Sequence, residues 1–289
     1  MRGDARSLLV LFACTIVSVA ACGGGGSPTE LLGGTPAVTT PTGTGTGTTG
    51  TTVPEAGTFV KRTVTVGGVS YPYQVFVPAA YQTGTTWPVV MALHGGHGRG
   101  SDGNLQVQQG LALVVKAQAA TFPAFGVFPQ LPAGETFPRE TMLAIATAAL
   151  DQVVSTYRID PKREYLTGIS FGGVLAYTIA YRNPTRFAAF VPISCAPADA
   201  EILGVSTAAL GTSYAAVAQA LRSVPMWLFH GHNDAQFSVA LPRAVVAALQ
   251  SAGGTVKYTE YPTGTHSENT WDTAYATPDL YTWMFAQHR

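Results

Sequence analysis

From residue 58 onward the chain switches between two spacings of apolar residues. Thr63-Val64-Thr65-Val66 and the stretch from Val69 to Val77 alternate with a period of two, and Gly67-Gly68 separates them. Alternation places one face of each run on a core, and paired glycines take the positive φ angles of a tight hairpin. An antiparallel pair is therefore expected to open the domain. Trp87 to Leu93 is a short apolar run that ends in His94-Gly95-Gly96. It reads as a strand buried on both faces that enters a glycine-rich loop. Between Glu140 and Tyr157 the residues Met142, Ile145, Ala146, Ala149, Val153 and Tyr157 recur at helical spacing, with Asp160-Pro161 as the stop. This is the stripe of a helix lying on a core. Further strands are expected over 125–128, 164–169, 187–193, 226–229 and 255–261. Further helices are expected over 104–120, 174–181, 214–221, 241–252 and 278–288. Strands alternating with helices imply an α/β fold, a mostly parallel sheet with helices on both faces.

The first 57 residues follow neither spacing. Met1 to Arg6 carries two arginines, and Leu8 to Ala21 is a run of apolar and small residues. It is short for a membrane span and has the layout of a secretory signal peptide. The run ends in Val19-Ala20-Ala21-Cys22, which resembles the lipobox of bacterial lipoproteins, so Cys22 is the expected lipidation site. Residues 22–57 are nearly all Gly, Thr, Pro and Ser. Such a stretch has too little apolar surface to offset its ordering entropy and reads as a tether. The expected organisation is a signal peptide over 1–21, a linker over 22–57 and one catalytic domain over 58–289. The expected location is the bacterial cell envelope or beyond, with a lipid at Cys22 as the sole membrane link, and the domain is expected to be a monomer.

Composition narrows the function. The formal net charge is zero, and charged residues make up 11% of the 289. That balance argues against a nucleic-acid partner or a polybasic membrane patch. Of the cysteines Cys14, Cys22 and Cys195, the first leaves with the signal and the second takes the lipid, so no disulfide and no cysteine zinc site is expected. There is no GxGxxG loop, Walker loop or HExxH motif. No metal or cofactor is expected: His94 with His97 and His230 with His232 are the ligand pairs the sequence offers, and loop architecture accounts for these histidines.

Gly168-Ile169-Ser170-Phe171-Gly172 supplies the chemistry. A G-x-S-x-G motif between an apolar strand and a helix forms a sharp turn that presents the serine hydroxyl above the sheet. A hydroxyl is a weak nucleophile at neutral pH and needs a base, itself oriented by an acid. On such an elbow the acid comes next in the chain and the histidine last. After Ser170 come His230, His232, His266 and His288. His266 alone lies in a loop after a strand late in the chain, which selects it as base. Asp234 follows the strand ending near Phe229 and precedes His266, which selects it over Asp199, Glu201, Glu268 and Asp272. The oxyanion donors are expected to be the Phe171 amide and the Gly96 amide, with His97 as the alternative. His94 is expected to be structural.

These residues resemble the α/β-hydrolase superfamily. Tyr157-Arg158-Ile159-Asp160-Pro161-Lys162-Arg163, Tyr165-Leu166-Thr167-Gly168 and Phe187 to Ile193 are similar to polyhydroxybutyrate-depolymerase-like and feruloyl-esterase-like secreted esterases. Trp227 to Gly231, Tyr258 to Pro262 and Trp271 to Tyr275 resemble the related predicted-peptidase, or phospholipase/carboxylesterase-like, group. The resemblance spans about Trp87 to Arg289. Thr265 stands where many relatives have Gly before the catalytic histidine. The resemblance implies hydrolysis of carboxylic esters, with aryl or feruloyl esters and polyesters as candidate substrates. His97, Phe137 and Trp271 are the candidate substrate contacts, and residues 196–212 a candidate cap. Amide hydrolysis by the same triad, and a non-catalytic binding protein on this scaffold, are the competing readings.

Overall fold

The computed structural model describes residues 55–134, 139–197 and 214–289. The signal, Cys22, nearly all of the linker, Phe137 and most of the candidate cap lie outside them. The first strands are β1 (Thr58–Val66) and β2 (Val69–Val77), antiparallel with Val66 opposite Val69. Gly67 and Gly68 have φ of 58° and 80°, the left-handed pair that a two-residue hairpin needs. The remaining strands are β3 (Trp87–Leu93), β4 (Phe125–Pro129), β5 (Ile159–Ile169), β6 (Ala189–Ile193), β7 (Met226–Gly231) and β8 (Val256–Tyr261). They form one sheet in the order β1-β2-β4-β3-β5-β6-β7-β8, and every pairing from β4 to β8 is parallel. The expected α/β architecture with its opening hairpin is therefore present.

Helices cover both faces. On one lie α2 (Arg139–Thr156), α3 (Phe171–Arg182), α4 (Tyr214–Leu221) and α5 (Ala240–Ser251). Their Ile145, Val174, Leu221 and Leu249 meet Met91, Leu166, Phe190 and Leu228 from the strands. On the other lie α1 (Leu111–Ala117), α6 (Glu268–Tyr275) and α7 (Pro278–Phe285). There Leu111, Trp271, Tyr275 and Met284 meet Val90, Tyr165, Val191 and Phe229. Neighbouring strand residues such as Tyr165 and Leu166 thus feed opposite cores, which is why the central strands read as unbroken apolar runs.

Several expected boundaries are corrected. The helix over 104–120 is a short 3-10 turn at Leu105–Val107 followed by α1, because Gly110 takes φ 57° between them. Strand β5 starts at Ile159, so Asp160-Pro161 lies within a strand. Its register against β3 jumps between Trp87 and Val89, and such an irregularity accommodates a proline. The expected terminal helix ends at Phe285 and is preceded by an unforeseen one, α6.

Strands β4 and β5 leave β3 on opposite sides. The crevice beyond the carboxyl ends of the strands at such a reversal is where open α/β sheets bind ligands. The loops after β3 and β5 flank it.

Candidate active site

Ser170 joins β5 to α3 with φ 52° and ψ −121°, a region that non-glycine residues rarely occupy. Such a residue costs on the order of 1–3 kcal/mol and persists only where its surroundings enforce it. Here they do. The Ser170 amide donates to the Ile193 carbonyl at 2.9 Å, and its own carbonyl accepts from Val174 at 3.0 Å. A Cβ on Gly168 would fall 2.6 Å from the Gly172 carbonyl oxygen, and one on Gly172 would strike the Leu93 and His94 carbonyls. The glycines of the motif thus let strand, turn and helix close on one another. Ser170 stands at the N-terminal end of α3, where the helix dipole favours negative charge.

The base and the acid come from loops after β8 and β7. Ser170 Oγ lies 2.8 Å from His266 Nε2, and His266 Nδ1 lies 2.7 Å from Asp234 Oδ2. A carboxylate only accepts, so Nδ1 carries the proton and Nε2 is left to accept from the serine. Asp234 Oδ1 accepts the amides of Gln236 and Phe237 at 2.9 and 2.8 Å. Burial raises the Asp234 carboxyl, but the hydrogen bonds from His266 and Phe237 and the nearby imidazoles outweigh it and hold the group below its ordinary value. His266 is fixed in orientation by Phe237 on one side and by Trp271 edge-on, with ring centres at 4.8 and 5.5 Å.

The loops also hold each other. Asn233 donates its amide to Gly264 O and its side chain to Pro262 O, tying the acid loop to the base loop. The base loop closes through Asn269 Oδ1, which accepts from the Thr265 amide and from the Ser267 hydroxyl.

Of the candidate ligand histidines, His94, His230 and His232 are engaged elsewhere. His94 Nε2 accepts the Leu131 amide at 3.0 Å, so its Nδ1 carries the proton and donates to Gly95 O at 2.7 Å. Burial pushes this imidazole down to about 4. His230 lies 3.5 Å from Asp234. Burial lowers it too, so it stands as a neutral ring donating Nε2–H to Phe237 O. His232 pairs with Glu260 at 2.7 Å. Among the described residues no group of three or more His, Cys, Asp or Glu is arranged to hold a metal ion.

The glycine-rich loop after β3 forms a 3-10 turn at Gly96–Gly98. The first amides of such a turn have no acceptor within it, which leaves those of Gly96 and His97 available. Gly96, His97, Ser170, Phe171, His266 and Trp271 line one cleft of about 200 Å³. The expected contacts are thus brought together, apart from Phe137, which lies outside the described residues. Arg99, Gln109, Gln236 and Phe237 line the same cleft and were not anticipated. Arg99 stands just beyond the His94-Gly95-Gly96 signal, and Phe237 three residues after the acid. Their nearness to the motifs was the available clue.

Comparison with known proteins bears on the family and the fold. Over 85 residues the chain is 33% identical to a bifunctional acetylxylan esterase/xylanase of Neocallimastix patriciarum, a match covering 29% of this chain and 10% of that protein. A solved thermostable esterase superposes with a TM-score of 0.62 at 28% identity, over 80% of this chain and 63% of that one. The chain thus spans a tenth of the first relative and under two thirds of the second. The feruloyl esterase module of Clostridium thermocellum, solved with sinapinate, shares the fold with a TM-score of 0.61 at 17% identity, over 82% of this chain and 91% of that one. The esterase family model matches residues 68–277, and the chain belongs to that family, on an α/β-hydrolase fold.

Proposed function

We propose that this protein hydrolyses carboxylic esters, with Ser170 as nucleophile, His266 as general base and acid, and Asp234 as the group that orients the imidazole. The unbroken hydrogen-bonded chain from Ser170 Oγ through His266 to Asp234 carries this reading. Ser170 Oγ adds to the ester carbonyl as its proton passes to His266 Nε2. The resulting imidazolium is stabilised by the Asp234 carboxylate. The tetrahedral oxyanion is received by the amides of Phe171 and Gly96, at the start of α3 and of the 3-10 turn. Collapse expels the alcohol, which takes the proton from His266, and leaves an acyl-serine. Water, deprotonated by His266, repeats the sequence and releases the acid.

The test is Ser170→Ala on short-chain 4-nitrophenyl esters. Turnover should fall by about five orders of magnitude with the fold intact by circular dichroism. Undiminished turnover would sink the assignment. Feruloyl and other aryl esters are the proposed substrate class. The aromatic lining from Phe171, Phe237 and Trp271 and the likeness to esterases support it. The apolar run ending in Val19-Ala20-Ala21-Cys22 supports, as part of the same proposal, a location outside the cytoplasm on a lipidated Cys22. A Cys22→Ser chain should leave the membrane fraction for the soluble one, as fractionation and immunoblotting would report.

A further inference from the structure

The cleft holds a cation that the triad chemistry does not use. Arg99 follows the 3-10 turn and lines the cleft beside Ser170, Phe171 and His266. Its guanidinium lies 5.0 Å from the centre of the Phe171 ring. Nε donates to the Pro132 carbonyl at 3.0 Å, and Nη2 donates to the Gly134 carbonyl. Both acceptors are neutral, and Nη1 has no acceptor among the described residues.

Among the described residues no carboxylate compensates its charge. Arg62, Arg182, Arg186 and Arg243 each face a carboxylate within 2.6 Å. No carboxylate lines the cleft among the described residues, and the Asp234 carboxylate of the triad is committed to His266 and to backbone amides. A cation set in a concave wall without a counter-ion attracts negative charge from solution. The two backbone bonds and the Phe171 ring hold the guanidinium in place beforehand, so little side-chain freedom remains to be lost when a ligand docks. A planar guanidinium is also the side chain best matched to a carboxylate.

Resting on the ester-hydrolase reading above, we propose that Arg99 recognises a carboxylate on the substrate, so that the preferred esters carry a free carboxylate on the acyl or alcohol side of the scissile bond. Arg99 is a recognition residue for this chemistry and takes no part in proton transfer.

Two matched pairs of esters test it. 4-Nitrophenyl hydrogen adipate against 4-nitrophenyl hexanoate places the charge on the acyl side. 4-Acetoxybenzoate against its methyl ester places it on the alcohol side. In the wild-type enzyme the charged member of at least one pair should be favoured in kcat/KM, on the order of tenfold at low ionic strength and mainly through KM. The preference should shrink with added salt as the charges are screened. Arg99→Gln should lose it, and Arg99→Lys should recover part of it. No preference in either pair, or a preference indifferent to salt, would overturn the proposal. So would an Arg99→Gln enzyme slowed equally on both members, which would make Arg99 a brace for residues 132–134 only. The salt series on the wild-type enzyme decides the matter even if a variant does not fold. The neutral esters report on the triad separately. Turnover of them that survives Ser170→Ala breaks the Ser170 triad reading, whereas turnover lost in that variant without any charge preference breaks only the role of Arg99.

Discussion

The two halves of the site are held by different forces. On the serine side the geometry is steric: Gly168 and Gly172 leave no room for a Cβ, and Ser170 is forced to positive φ by backbone packed against backbone. On the acid–base side it is a web of hydrogen bonds, from Asp234 to two amides, from Asn233 across to Gly264, and from the Thr265 amide to Asn269. Steric exclusion fails abruptly, because backbone atoms cannot yield. Hydrogen bonds fail one at a time, and their loss shows first in the chemistry.

The largest effect expected from this contrast lies on the acid–base side. Asp234→Asn keeps the shape but can offer an N–H to His266, favouring the tautomer with the proton on Nε2. The rate constant kcat on a 4-nitrophenyl ester should fall by about 10⁴, with a urea midpoint close to that of the wild type. A collapse of the midpoint instead would show that the carboxylate holds the fold as well as the imidazole.

Next is Gly172→Ala. In an exposed helix this substitution stabilises by restricting the unfolded chain. Here the new methyl meets the carbonyls of Leu93 and His94, and stability should drop by about 3 kcal/mol, read from urea denaturation. A neutral or stabilising result would remove the steric half of the comparison.

A pH effect, only part of which falls between pH 7 and 4.5, separates the halves. His94, behind the glycine loop, is held at about 4 in the folded protein against an ordinary 6.5, because burial disfavours the cation. The unfolded chain therefore binds the extra proton first. Stability from this residue is complete above about pH 6.5 and is lost as pH falls towards 4, by about 3 kcal/mol in all. Asp234 is displaced in the same direction on a lower scale: its contribution is present above an ordinary 3.8 and lost only below it. Unfolding midpoints between pH 7 and 4.5 should decline, and His94→Gln should flatten the slope by about one proton. An unchanged slope would assign the decline to other groups.

The serine side was the more legible in the sequence, because its devices are local. A run of apolar residues, two glycines around a serine and a following helix lie within one short stretch. Asp234 and His266 followed from chain order and from their places after strands. What escaped was written in tertiary terms. Helix α6 begins with the polar Glu268-Asn269-Thr270 and reads as loop, although Trp271, Ala274 and Tyr275 carry the spacing of a buried face. Asp160-Pro161 reads as a stop, and only the register jump against β3 lets the strand pass through it. Nothing local in the glycine-rich loop marks Arg99, since the residues that hold it, Pro132 and Gly134, are more than thirty positions away.

The His94 ring carries a consequence for how this protein would respond to directed evolution. One imidazole fastens the end of β3 to Leu131, the Gly100 amide returns to the Leu131 carbonyl at 2.9 Å, and Arg99 is clasped by the next residues along. The wall that would hold the oxyanion and the wall that carries the positive charge are thus one mechanical part. Libraries built at residues 131–134 will change affinity and rate together, and selection there will trade one against the other. Libraries at Gln236 and Phe237, across the cleft, act on a separate part and offer the freer route to a new specificity.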